Sequence, residues 1–175
     1  MHTFGVPTLF SFPNPVNEVA ARTVAAGVLG LCLLTLGFRT PWLLVPLAYG
    51  FVARVATGPK LSPWGLLVTK VLVPRLHRAF GWGPTFVPGP PKRFAQGIGA
   101  VLSVGAVAAY FLGVPLLSWV LVGFIAFAAT LESVFAYCLG CAIFAQLQRL
   151  GLIPVSACEA CVNFSARRKP LTADA

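Results

Sequence analysis

The run Leu116-Leu117-Ser118-Trp119-Val120-Leu121-Val122-Gly123-Phe124-Ile125-Ala126-Phe127-Ala128-Ala129-Thr130-Leu131-Glu132-Ser133-Val134-Phe135-Ala136-Tyr137, followed at once by Cys138-Leu139-Gly140-Cys141, decides how this chain is read. With one charge, Glu132, it would reach about 33 Å as a straight helix, slightly more than the ~30 Å of bilayer hydrocarbon. A helix apolar all round has no face for water. The rest of the chain agrees: of 175 residues, 58% are hydrophobic and only 10% charged, too little polar surface to coat a soluble globule. The fold class is therefore all-α, a polytopic membrane protein in a lipid bilayer.

Working back from this run, Gly113-Val114-Pro115 is a short apolar turn and residues 94–112 form another span. Gly97, Val101 and Gly105 share one of its faces, with Ala108 nearby, which predicts close approach of a neighbouring helix there. Gly89-Pro90-Pro91 reads as a stiff extended approach, and Lys92 and Arg93 anchor the span's start. The first span covers residues 16–38, with Asn14 as cap and Pro15 in the first turn. Glu18 and Arg22, four residues apart, read as a helix-stabilising pair. Cys32, among leucines, reads as core packing. Arg39 and Trp42 mark the far interface. A second run, residues 42–56 between Pro41 and Gly58-Pro59, reaches only about 22 Å. Arg54 can snorkel and extend it; a re-entrant hairpin is the alternative. Four transmembrane helices result.

Seven of the thirteen basic residues (Arg54, Lys60, Lys70, Arg75, Arg78, Lys92 and Arg93) fall in or beside residues 57–94. This segment is predicted to lie outside the hydrocarbon. Within it Ser62-Pro63 resembles an N-cap with proline at the first helical position. Trp64, Leu67, Val68, Val71 and Leu72 then recur at helical spacing, giving an amphipathic helix in the membrane surface, kinked or ended near Pro74. His77, flanked by Arg75 and Arg78, reads as solvated or facing headgroups. Residues 1–15 form an N-terminal segment, 16–149 the membrane domain and 150–175 a tail, disordered from about Arg167. The N-terminus lacks the basic region of a cleavable signal, so the first span is expected to be retained. The charge asymmetry places both termini and the long loop in the cytoplasm of an inner (plasma) membrane protein. Because the basic residues lack an interleaved aromatic face, nucleic acid is excluded in favour of anionic headgroups.

Five cysteines include two Cys-x-x-Cys pairs, Cys138/Cys141 and Cys158/Cys161. The first pair ends the fourth span at the cytoplasmic interface. In the second, Ser156-Ala157-Cys158-Glu159 reads as a capping box, which puts Cys158 in a first helical turn where a thiolate is favoured. Three readings of the four sulfurs stay open: thiol–disulfide or persulfide exchange, a tetrathiolate zinc site, and plain packing. Against the zinc-ribbon template, residues 142–153 look helical instead of forming a hairpin. Glu132 is costly in an apolar span, and Arg54 is its expected partner; a structural ion pair and a proton-handling role are both open. On an unbroken helix Glu132 and the two thiols point apart, so acid–base contact would require a bend, expected at Gly140. No catalytic triad, phosphate-binding loop or paired catalytic carboxylate occurs.

Phe12-Pro13-Asn14-Pro15-Val16-Asn17-Glu18 with Arg22, Gly89-Pro90-Pro91-Lys92-Arg93-Phe94-Ala95-Gln96, and Glu132 with Cys138-Leu139-Gly140-Cys141 together resemble a bacterial integral-membrane family of unknown function. The resemblance covers roughly residues 10–162. It implies thiol or sulfur work, because such families occur beside thioredoxin-like or rhodanese-like domains, and a soluble partner of that kind would be separate here. Two functions follow as expectations. In one, Cys158 attacks or is attacked, Cys161 resolves, and Cys138 with Cys141 form the second exchanging pair. In the other, a transporter or complex subunit holds zinc on the four cysteines.

Overall fold

A computed structural model of the protein describes residues 14–81 and 85–154. Three helices are long and apolar enough to cross a membrane: α1 (Glu18–Phe38), α5 (Gly89–Phe111) and α6 (Pro115–Phe135). Between them lie α2 (Leu44–Thr57), extended at its start by a 3-10 turn (Pro41–Leu43), then α3 (Pro63–Leu67), a π turn (Val68–Leu72) and α4 (Val73–Phe80). Another helix, α7 (Leu139–Arg149), follows α6, and β1 (Val16–Asn17) pairs antiparallel with β2 (Phe86–Val87).

Helix α6 packs between α1 and α5 and runs antiparallel to both, and α2 packs antiparallel along α5. Their shared core holds Cys32, Leu44, Leu47, Ala106 and Val122, none more than 2% exposed. Cys32 is thus a packing residue, as its leucine neighbours suggest. The outer surface is apolar in mid-helix, where Val101 is 74% exposed and Phe124 and Phe127 are each 60% exposed. A water-soluble bundle would bury such side chains; in lipid they are solvated.

Several local expectations need correction. Asn17, not Asn14, caps α1, its Oδ1 accepting from Val19 N at 2.9 Å and Ala20 N at 3.3 Å. Asn14 Oδ1 instead accepts from Gly89 N at 3.0 Å, so the segment before α1 is tied to the start of α5. Gly89-Pro90-Pro91 is not an extended approach but the first turn of α5, where missing proline N–H groups leave no bond unmade. The packing face of α5 is also different from the expected one. Gly99, Ser103, Ala106 and Ala109 are buried, whereas a Cβ at Gly97 would meet nothing. Gly99 faces the Phe51 ring of α2, which fills the space a side chain would take.

Residues 63–80 are helical, as the spacing predicts, and Ser62 caps them by accepting from Gly65 N at 3.3 Å. The π turn comes immediately before Pro74: Val73 N–H reaches Val68 O, widening the helix where the proline withholds a donor and clashes with the preceding turn. That extra residue rotates the apolar face. Val68 and Val73 are buried against Ala20 and Val24 of α1, Gly65 is buried beside Pro59, and Leu67 remains 42% exposed. The Trp64 ring lies over Gly27, the contact that brings this segment onto α1.

Candidate functional site

The three sequence motifs far apart in the chain meet at the end of the bundle formed by the start of α1, the start of α5 and the end of α6. Glu132 on α6 is ion-paired with Lys92 in the first turn of α5. This corrects the expected Glu132–Arg54 pair. Arg54 is near enough to Glu132 to feel its charge but makes its direct contacts elsewhere: its Nε donates to Gln96 Oε1 at 3.0 Å, its Nη1 to Ser62 Oγ at 3.4 Å, and its guanidinium stacks on Phe51, 4.7 Å from the ring centroid. Arg54 is 6% exposed, and these contacts replace water around a charge that lipid would not solvate.

Arg22 likewise does not pair with Glu18. Its guanidinium donates to Ser133 O at 3.2 Å and Val134 O at 3.4 Å. These carbonyls belong to the last turn of α6, where the helix has no donors left and its dipole end is negative. Arg93 Nε donates to Val55 O at 3.2 Å in the same position on α2. Cations thus close the ends of two helices.

The helix carrying Glu132 does not run on into the cysteines. Ala136 is left-handed, with φ 54, and ends α6. For a residue with a Cβ this conformation costs about 1–2 kcal/mol. The bend expected at Gly140 therefore comes four residues earlier. Gly140 has another use: α7 crosses α5 there, and an added Cβ would lie 2.6 Å from Ala95 Cα. Phe94 and Phe144 pack edge to face beside this crossing, their centroids 5.5 Å apart.

Breaking the helix makes Cys138 the cap of a new one. Its Sγ accepts from Cys141 N at 3.3 Å, and Cys138 and Cys141 are joined by a disulfide across one turn, with Cα atoms 5.2 Å apart. Cys138 is half-buried and Cys141 is buried. Residues 142–149 continue as the expected amphipathic helix, burying Phe144, Ala145 and Gln148. Cys158 and Cys161 lie outside the described residues, as does the capping box around them.

A cavity of about 510 Å³ opens beside Cys138, between α1, α5, α6 and α7, with Phe51 of α2 in its wall. Its lining is aliphatic and aromatic except at one end, where Gln96, Glu132 and Cys138 contribute. Sequence reasoning found Glu132, Arg54 and the cysteines but missed Lys92 and Gln96 as their partners. A signal for Lys92 existed. Counting turns outward from Gly113-Val114-Pro115 along two antiparallel helices brings the first turn of α5 beside the last turns of α6.

Residues 16–149 match the family described as Domain of unknown function (DUF4395), and the chain belongs to that family. No curated protein and no solved structure matches it.

Proposed function

We propose that this DUF4395 member is a membrane thiol–disulfide redox or sulfur-relay protein in which Cys138 and Cys141 exchange with Cys158 and Cys161, or with the thiols of a soluble partner. The observation that carries this reading is the disulfide at the N-terminus of α7, with Cys138 the accessible sulfur and Cys141 the buried one. An incoming thiolate attacks Cys138 Sγ, the Cys138–Cys141 bond breaks, and Cys141 leaves as a thiolate that takes up a proton. A second donor thiol then attacks the mixed disulfide and releases Cys138. Two electrons and two protons pass from the donor dithiol to the pair. In the reverse direction Cys138, the more accessible of the two sulfurs, is the attacking one.

The membrane setting we propose has four passes, with both termini and the segment before α5 on the cytoplasmic side. In its support, the 3-10 turn and α2 together rise about 27 Å, close to the hydrocarbon thickness. On the segment from Pro63 to Phe80, proposed to lie in the membrane surface, Lys70, Arg75 and Arg78 are exposed. In reducing cytosol an exchanging disulfide is a transient, working bond. A thioredoxin-like or rhodanese-like protein is the proposed partner.

The test is to trap the intermediate. Cys141→Ser in the full chain, expressed in its membrane, should accumulate a mixed disulfide at Cys138 that Cys138→Ser abolishes. Zinc bound in stoichiometric amount, with all four cysteines protected until chelation, would replace this reading with a tetrathiolate site in a transporter or complex subunit.

A further inference from the structure

We propose that the cavity beside Cys138 binds a membrane quinone, which takes the electrons of Cys138 and Cys141; this rests on the thiol-exchange reading and names its electron acceptor. The volume, about 510 Å³, is that of a small-molecule site, and such sites combine apolar walls with a few convergent polar groups. Here the walls come from residues such as Val28, Leu102, Leu121 and Ile125. Phe124 and Phe127, both also lining the cavity, are exposed on the apolar outside of the bundle, so an occupant can enter from the lipid.

The polar end selects the ligand. A guanidinium only donates, so the Gln96 atom facing Arg54 is its oxygen, which leaves the Nε2 group as the donor this amide has for a ligand. Lys92 neutralises Glu132 at the same end. A carbonyl acceptor therefore fits better than an anion, and the apolar walls disfavour a nucleotide carrier. An acyl chain fits the walls but neither takes electrons nor uses the amide. A quinone has the carbonyl, the apolar body and the two-electron capacity that the sulfurs require.

The step balances. In the reduced pair the Cys138 thiolate adds to a quinone ring carbon, forming a C–S bond as the ring electrons move to a carbonyl oxygen. The Cys141 thiolate then attacks Cys138 Sγ; the S–S bond forms, the C–S bond breaks, and its electron pair stays on the ring. The two thiol protons equal the two gained by the quinone oxygens, and hydroquinone leaves.

The experiment uses the full-length chain carrying Cys158→Ser and Cys161→Ser, reduced, reconstituted in lipid nanodiscs and mixed with decylubiquinone. Saturable, stoichiometric reduction of the probe with return of the Cys138–Cys141 disulfide is expected, and Cys138→Ser should abolish it. Ala128→Phe, which places a ring in the cavity, should slow the quinone reaction roughly tenfold or more while leaving exchange with dithiothreitol unchanged. As a measurement independent of that variant's folding, an azidoquinone should photolabel residues 96–102 or 121–132. Labelling elsewhere, or an unchanged rate in Ala128→Phe, would overturn the proposal. A pair that exchanges with dithiothreitol but leaves the quinone untouched overturns the acceptor and spares the thiol reading; a pair that exchanges with neither removes both.

Discussion

Glu132 shows how a single side chain is made tolerable near lipid. Its carboxylate and the Lys92 ammonium are each less than a fifth exposed, so removing one leaves the other charge with little water and no partner. For fully buried pairs that costs about 3–5 kcal/mol; with the residual exposure here about 2 kcal/mol is expected for Glu132→Gln or Lys92→Met alone. The double variant should recover much of that loss, since both charges are gone. A thermal-unfolding cycle in detergent reads the coupling, and additive losses would contradict the pairing. The same cycle between Glu132 and Arg54 should show weaker coupling, because Gln96, Ser62 and Phe51 hold Arg54. From sequence, Arg54 and Lys92 were equally basic and both near the membrane face. What separates them is which helix turns toward α6, and that is a matter of packing that residue type does not encode.

At the scale of elements, the long spans were legible because their composition leaves no alternative to lipid, and the helix over residues 63–80 because its cap and spacing agree. Register was less legible. α5 carries small residues on two faces, and the buried one, with Gly99 and Ala106, is chosen by Phe51 and α6. The break at Ala136 was illegible for a related reason: no glycine marks it, and the left-handed residue is held by the docking of α7 on α5. Gly140 tests that docking against intrinsic propensity. In an isolated helix Gly→Ala stabilises by up to about 1 kcal/mol. Here the new Cβ would strike the Ala95 backbone, and overpacking costs about 1–3 kcal/mol, so Gly140→Ala should destabilise on balance. Pulse alkylation of the reduced protein should show Cys141, slow in the parent chain, becoming nearly as reactive as Cys138. A stabilised variant with Cys141 still slow would contradict the crossing.

For the whole molecule, the antiparallel helices put the 39–41 and 113–115 turns at one end and the polar cluster, the disulfide and α7 at the other. Reporter cysteines at Thr40 and Val114, in a chain otherwise lacking cysteine, should label from outside intact cells with an impermeant reagent, and one at Gly81 should not. Protection at Thr40 would contradict the four-pass arrangement. This end-to-end polarity places Cys138 and Cys141 at the same end as the polar cluster and beside the cavity, and the central claim is that the two sulfurs interconvert between disulfide and dithiol while the bundle stays folded. The most direct measurement is a redox titration of that pair in the full-length protein in nanodiscs, equilibrated against dithiothreitol ratios and read by mass spectrometry of alkylated Cys138 and Cys141 peptides. A single reversible transition in which both sulfurs change state together is predicted. A pair that stays oxidised until the protein unfolds, or that stays reduced throughout, would contradict it.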